Sequence, residues 1–395
     1  MEKSNDPRIT RLSAVLIAAI IIVSLCATAS FGYFTGYSSI QGKIDSLQGK
    51  IYDLQNQLSD DSSQNVTYLL GENVSLSQLY GQVMDSVVVI RGEEVQYDIF
   101  GRAYYSQVQG SGFVYDFAGQ EVLITNYHVV EGTIGVTATF ADGNGYGAKV
   151  LGSDPYEDLA VLSTDAPLTE MKPLEIASSS TLEVGDPVIA VGSPYGLAGS
   201  MTSGIISALG RAITEDTTSG YPIASVIQTS TPINAGNSGG PLLNYKGQVV
   251  GITTAIVSSS QGLGFAVPSN TILREVESLV TSGSYDKHPW LGATGTDMTY
   301  EIAKAMGTNV TYGWLIASVP NDTGLRGGTS QVLIVGSTVT IGGDIVVAIN
   351  GTRITDTDDL SSYLEEYTLP GQSVNVEIVR NNEMMTVLVQ LGKRS

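Results

Sequence analysis

From about Val83 to Pro268 the chain breaks into short β-branched runs divided by turn residues, and no strand-then-helix alternation runs through it. That absence argues against a parallel sheet, whose strands need long crossovers, usually helical. The clearest strands are residues 87–90, 136–140, 159–162, 188–191, 249–254 and 264–267. Asp142-Gly143, Asn144-Gly145 and Lys246-Gly247 suit tight hairpins, because glycine takes a positive φ at little cost. Many short strands over such a length predict barrels or sandwiches. One helix stands out at the end of this region, residues 269–282. Ile272, Leu273, Val276, Leu279 and Val280 form its apolar face, and Ser269 or Asn270 its cap.

Composition narrows the function classes. The 395 residues allow two or three domains, and 42% apolar against 15% charged residues excludes a disordered chain. Lys and Arg total 19 against 39 Asp and Glu, a net charge of −20. A chain of that sign has no electrostatic footprint for nucleic acid or an anionic membrane surface. Cys26 is the only cysteine, so no internal disulfide and no thiolate-rich metal site can form. With His128 and His288 the only histidines, a His-based metal site would have to use both, and no ligand cluster surrounds either in the sequence. The expectation is therefore no metal and no cofactor. His288, in Lys287-His288-Pro289-Trp290, reads as a surface residue at a domain junction.

Residues 12–34 carry no charge, and as a helix at ~1.5 Å per residue they span ~30 Å of hydrocarbon. Lys3, Arg8 and Arg11 precede them, which places the N-terminus in the cytoplasm and the rest outside. A cleaved signal peptide ending at Ala27-Thr28-Ala29 is the alternative; the apolar stretch exceeds the usual ~7–15-residue signal core and favours an anchor. Beyond it, Ile40, Ile44, Leu47, Ile51, Leu54 and Leu58 alternate four and three apart, a heptad seam over residues 37–58. A lone amphipathic helix is the plainer reading of the same pattern. The predicted order is a cytoplasmic tail (1–11), an anchor (12–34), a coiled coil (37–58), a linker (59–76), a β-rich domain (77–283) and a further domain (287–393).

Three pieces of the β-rich region can carry chemistry. His128 follows the apolar Val122-Leu123-Ile124, so a buried strand aims an imidazole whose pKa suits a base near neutrality. Asp158 sits at the mouth of the apolar run 159–162. In Asn234-Ala235-Gly236-Asn237-Ser238-Gly239-Gly240-Pro241-Leu242, glycines on both sides of Ser238 let the backbone turn sharply and bare two N–H groups. Each piece alone is more often structural; the order His, Asp, Ser is that of the chymotrypsin-type triad.

These residues resemble the HtrA (DegP-like) family of serine proteases over roughly residues 80–283. The carrying motifs are Gly110-Ser111-Gly112-Phe113, residues 125–130, residues 154–162, Gly192-Ser193-Pro194-Tyr195-Gly196, Thr202-Ser203-Gly204-Ile205, residues 234–242 and Gly264-Phe265-Ala266-Val267-Pro268-Ser269-Asn270. The resemblance implies a mainly β fold, a chymotrypsin-like double β-barrel with the site between the barrels. It implies His128 as general base, Asp158 as its orienting carboxylate, Ser238 as nucleophile, and the amides of Gly236 and Ser238 as the oxyanion hole. Ile233, Leu263 and Phe265 map to the substrate pocket, which contains no charge, so small aliphatic side chains before the cut bond are expected. Ser230 stands where the family usually has Asp.

Residues 287–393 resemble a PDZ domain (α+β) of the family type, with strands at 314–318, 344–350, 374–379 and 385–391, and helices at 355–367 and 300–306. Trp290-Leu291-Gly292-Ala293 stands at the carboxylate-binding loop, which implies capture of peptide C-termini by strand addition. Residues 329–341 are an extra segment absent from compact PDZ domains. The expected protein is a membrane-anchored, extracytoplasmic serine endopeptidase acting on unfolded or damaged proteins. The alternative is a chaperone-like peptide-binding protein with silent or secondary peptidase activity. The Ile/Leu seam favours parallel dimers, whereas the family resemblance implies a homotrimer.

Overall fold

In strand β1 (Val87–Tyr97), Val88 and Ile90 lie two apart and so point the same way, into an interior shared with Val114, Leu123, Ala138 and Leu162. This chain is described here by a computed structural model over residues 75–394, apart from 98–100, 194–198, 215–221, 255–262 and 321–322. The expected tail, anchor and coiled coil, and nearly all of the linker, lie outside the described residues. Among the described residues no helix is long and apolar enough to cross a membrane.

Helix α1 (Leu76–Val83) starts at a Ser75/Gln78 capping box and buries Leu79 and Val83. After β1 come β2 (Ala103–Phe117), β3 (Gln120–Thr125), β4 (Thr133–Thr139), β5 (Gly145–Asp154) and β6 (Leu159–Thr164). They close antiparallel in the order β1-β2-β3-β6-β5-β4, with β4 returning to β1. The second barrel comprises β7 (Pro187–Gly192), β8 (Ser200–Thr214), β9 (Pro222–Thr229), β10 (Pro241–Leu243), β11 (Val249–Thr254) and β12 (Gly264–Pro268). Its order is β10-β11-β12-β9-β8-β7, closed by β10 against β7. Full closure leaves neither sheet with an open edge.

Helix α2 (Ser269–Ser282) has the expected ends but differs in its cap and its face. Pro268 is the N-cap and offers no side-chain bond; the Ser269 hydroxyl donates to the Ala177 carbonyl at 2.6 Å, and the Asn270 amide to Ser180 Oγ at 2.6 Å. Both side chains tie the helix to the inter-barrel segment instead of capping it. Ile272, Val276 and Leu279 are buried, Leu273 is 47% exposed, and Glu275 is fully buried on the apolar face. The helix lies directly on β5: a Cβ at Gly152 would come 2.2 Å from the Leu279 carbonyl oxygen.

The C-terminal part holds the short pair β13 (Pro289–Trp290) and β22 (Gly392–Lys393), and a larger sheet. That sheet runs β14 (Thr294–Asp297), β15 (Trp314–Ser318), β18 (Ile345–Ile349), β20 (Ser373–Arg380), β21 (Glu383–Gln390), with β19 (Thr352–Arg353) beside β18. Helix α3 (Tyr300–Met306) stops at Gly307, whose φ of 64° only glycine takes freely. Helix α4 (Thr357–Tyr367) begins at Asp356, whose side chain accepts from the Asp359 N–H at 3.0 Å, and Leu360 and Leu364 enter the core. The extra segment is a hairpin, β16 (Ser330–Ile334) with β17 (Ser337–Ile341), whose Ile334, Val339 and Ile341 pack beside Ile302 and Leu315.

The two barrels and the C-terminal domain form one compact unit over residues 75–395. Helix α4 lies on the second barrel. Asp358 accepts from the Ala212 N–H at 3.0 Å and pairs with Arg211 at 3.2 Å, and Ser362 Oγ accepts from the Ser225 N–H at 3.2 Å.

Candidate active site

Strand β3 ends in a single helical turn, Tyr127–Val129, that presents His128. The turn is tied to Asp158, which stands immediately before β6. Asn126 Nδ2 and the Tyr127 N–H both donate to the Asp158 carbonyl, at 2.9 and 3.2 Å. The Asp158 carboxylate accepts from the His128 N–H at 2.9 Å and faces ring Nδ1 at 2.9 Å through Oδ2 and 3.1 Å through Oδ1. Asp158 takes φ +52° and is fully buried, a left-handed conformation that Asp tolerates better than most residues and that turns its carboxylate back onto the histidine. The His128 side chain keeps 23% exposure, whereas that of Asp158 keeps 1%. With Nδ1 held by a buried carboxylate, Nε2 is the nitrogen left to exchange a proton with a substrate-side group.

Ser238 comes from the second barrel, in the turn before β10. Asn237 N–H donates to the Asn234 carbonyl and Gly240 N–H to the Asn237 carbonyl, both at 2.9 Å, so the turn is closed by its own backbone. Thr253 of β11 braces it, accepting from Gly239 N–H at 2.9 Å and donating its hydroxyl to the Asn237 carbonyl at 2.6 Å. The Gly236–Asn237 peptide is fixed on its other edge too, because Ser111 Oγ donates to the Gly236 carbonyl at 2.6 Å.

The two barrels meet at Ser111 and Gly110 of β2. Ser111 N–H donates to the Ser238 carbonyl at 2.7 Å, and its Oγ accepts from the Ser193 N–H at 2.9 Å. A Cβ at Gly110 would lie 2.6 Å from the Val129 side chain and 2.9 Å from the Ser238 carbonyl, so the histidine turn and the serine turn both abut this glycine. At Gly239, φ +84°, a Cβ would come 2.1 Å from the Ser111 carbonyl and 3.2 Å from the Asn126 nitrogen. Any side chain there would force the turns apart. The motif Gly110-Ser111-Gly112-Phe113 carries part of the family resemblance, but the bracing role of Ser111 is visible only in the fold.

Of the expected pocket residues, Ile233 is half-buried against the second-barrel core and within contact of Gly264, and Phe265 pairs with Gln228. Leu263 is 44% exposed at the edge of the undescribed residues 255–262. In the expected carboxylate loop, Leu291 and Ala293 are core residues, and Gly292 between them takes φ +80°. Trp290 and Gly292 line a pocket of about 490 Å³ with Thr323, Gly324 and Leu388. Strand β14 pairs with β15 alone among the described residues, which leaves its other edge open.

His288 is not a surface residue. It is 1% exposed, packed between Tyr156 and Tyr285, and sits among Asp154 and Glu157 of the first barrel, Glu275 of α2 and Glu365 of α4. Burial disfavours its charged form, but the carboxylates of Asp154 and Glu365, one against each ring nitrogen, outweigh that and push it up to about 10. Burial, reinforced by Glu365, pushes the Glu157 carboxyl up to about 8, and burial likewise raises Glu275 well above the carboxylate range. Local sequence gave no sign of this cluster, because its members come from parts of the chain up to 211 positions apart, Asp154 to Glu365.

Comparison with known proteins agrees with this geometry. A trypsin-like peptidase domain matches residues 110–252 and a PDZ domain residues 315–391. The fold and the site define a trypsin-like serine endopeptidase carrying one PDZ domain. The chain is 36% identical over 326 residues to Protease Do-like 1, chloroplastic, of Arabidopsis thaliana, covering 81% of this chain and 72% of that protein. It is 34% identical over 294 residues to the periplasmic serine endoprotease DegP of Salmonella typhimurium, covering 72% of this chain and 57% of DegP. Among solved structures, the HtrA-type protease AlgW with tripeptide aligns at a TM-score of 0.62 and 28% identity, over 82% of this chain and 98% of that one. This chain belongs to the HtrA (DegP-like) family of serine proteases.

Proposed function

We propose that the chain is a membrane-anchored, extracytoplasmic quality-control endopeptidase that cleaves unfolded or damaged proteins through Ser238. His128 takes the Ser238 proton as Oγ attacks the scissile carbonyl, and later returns a proton to the leaving amine; water then releases the acyl-enzyme. Asp158 holds the imidazole in the required tautomer. The Gly236 and Ser238 amides receive the oxyanion; the Gly236–Asn237 peptide that lies between these two donors is fixed by Ser111 and Asn234, which supports the role by limiting how the donors can turn. The observation that carries this reading is the three-point hold of Asp158 on the His128 ring and backbone.

Ile233, Phe265 and Leu263 form an apolar pocket for a small aliphatic side chain. The PDZ domain takes peptide C-termini along the open edge of β14. Residues 12–34 anchor the chain, residues 37–58 form a stalk, and three copies assemble through the protease domain (77–283), each carrying its PDZ domain (287–393). The test is digestion of a permanently unfolded model protein by the wild-type chain beside Ser238→Ala. Loss of cleavage and of fluorophosphonate labelling in the variant is expected. Undiminished cleavage by Ser238→Ala would remove Ser238 from the chemistry.

A further inference from the structure

Four buried carboxylates meet where the protease and PDZ domains join, Asp154, Glu157, Glu275 and Glu365, all at most 4% exposed. Two guanidinium groups answer them. Arg274 reaches Glu275 Oε1 at 2.6 Å and lies 4.0 Å from Glu157 and 3.9 Å from Glu365; Arg394 lies 3.5 Å from Glu365. Four carboxylates this deeply buried, against two guanidinium groups and one imidazole, cost several kcal/mol per ion unless protons or a bound cation neutralise them.

The atoms left without a hydrogen bond are specific. Asp154 Oδ2, Glu275 Oε2 and His288 Nε2 have no hydrogen-bond partner among the described residues. His288 Nε2 is 3.0 Å from Asp154 Oδ2, close enough for an ion pair but not aligned for a hydrogen bond. One ligand atom from each of Asp154, Glu275 and His288 lies within 4.8 Å of the other two. Ligands on one tetrahedral ion at about 2.0–2.2 Å stand about 3.3–3.5 Å apart, so only small side-chain shifts separate the three from a coordination shell. The other ring nitrogen, Nδ1, faces Glu365 at 3.2 and 3.3 Å. A carboxylate behind a ligating imidazole fixes its tautomer and raises its basicity, as at many zinc sites.

We propose that this junction holds one divalent transition-metal ion of the zinc class, bound by Asp154, Glu275 and the Nε2 of His288, with Glu365 supporting the ring. The ion supplies positive charge among the carboxylates in place of the proton on His288 Nε2, which is released as the metal binds. Because Asp154 and Glu275 belong to the protease domain and His288 to the segment entering the PDZ domain, the metal ties the two together. The ion plays no part in peptide hydrolysis. Its role is to hold the PDZ domain in register on the first barrel and α2. The earlier expectation of no metal rested on needing both histidines; buried carboxylates supply what the second histidine would have.

The test uses the full-length chain purified in detergent from zinc-supplemented cells and dialysed against metal-free buffer. Elemental analysis is expected to find about one zinc per chain, lost in His288→Gln and in Glu275→Gln and kept in the surface control Glu183→Gln. X-ray absorption at the zinc edge on the wild-type chain should show one imidazole in an oxygen and nitrogen shell, which keeps the proposal testable if a variant misfolds. A strong chelator should lower the wild-type melting temperature. A wild-type chain without bound zinc and with an unchanged melting temperature in chelator would overturn the proposal, since protons alone would then neutralise the cluster. Zinc that survives both substitutions and leaves on His128→Gln would overturn it equally, by placing the ion at the other histidine.

Discussion

Asp158 is a residue whose backbone and side chain serve the same end. Its left-handed φ of 52° costs about 1–2 kcal/mol for a non-glycine residue, and the bonds from Asn126, Tyr127 and His128 hold it there. Asp158→Asn keeps the size and the tolerance for that φ, but presents an amide to Nδ1 and favours the wrong imidazole tautomer. The expected result is a kcat lower by about ten-thousand-fold with KM little changed, the behaviour of the template triad, read by steady-state cleavage of a short peptide. A kcat within tenfold of wild type (about 1.4 kcal/mol) would deny Asp158 the orienting role. Neither neighbouring acid can substitute for it, because Asp154 and Glu157 are both committed to the junction cluster. Sequence order alone separates Asp158 from those two only by family resemblance; their burial against His288 and Arg274 supplies a physical reason.

At the scale of elements, the segments legible in the sequence were those whose ends are set locally. Residues 269–282, 300–306 and 314–318 form elements with the expected bounds, because an apolar period is closed by Gly283 and Gly307 at the helices and flanked by turn residues at the strand. Strands β2, β5, β8 and β9 went unread: they carry Gly, Ser and polar residues, and β8 shifts register against β9 at three points, so pairing rather than pattern defines them. Glu275 on the apolar face of α2, and buried His288, were illegible because only the docking of one domain on another covers them. The β16–β17 hairpin shows what a turn lacks when its residues are not suited to it. Its two-residue turn puts Val335 at φ 47° and Gly336 at 83°, where the neighbouring hairpins use Asn350-Gly351 and Asn381-Asn382. A β-branched side chain is poorly suited to that conformation, and Val335, at 86% exposure, gains little from packing. Val335→Asn should stabilise the hairpin by about 1 kcal/mol, slowing amide exchange of residues 330–341 about fivefold. Unchanged or faster exchange would show that the turn carries no such strain.

For the whole molecule, the proposed assembly sets two surfaces of unequal strength against each other. The seam over residues 37–58 has Ile44, Ile51 and Leu58 at one core position and Ile40, Leu47 and Leu54 at the other, and three heptads would make only a short coil, marginally stable by itself. A protein interface of standard size buries about 800 Å² on each partner, a little over half of it apolar, more than three short heptads can offer. The expectation is therefore that a protease-domain interface governs and that residues 37–58 follow it as a parallel three-stranded stalk. Charge opposes this: each chain carries −20, so three copies repel one another at low ionic strength, where screening reaches only beyond ~30 Å, and much less at 0.15 M, where it reaches ~8 Å. Sedimentation equilibrium on fragments 37–395 and 76–395 at physiological salt should give trimers for both, with the shorter one dissociating first as salt is lowered. A dimer from the longer fragment, or a monomer from the shorter one at physiological salt, would mean that the heptad seam, and not the barrels, sets the number of copies.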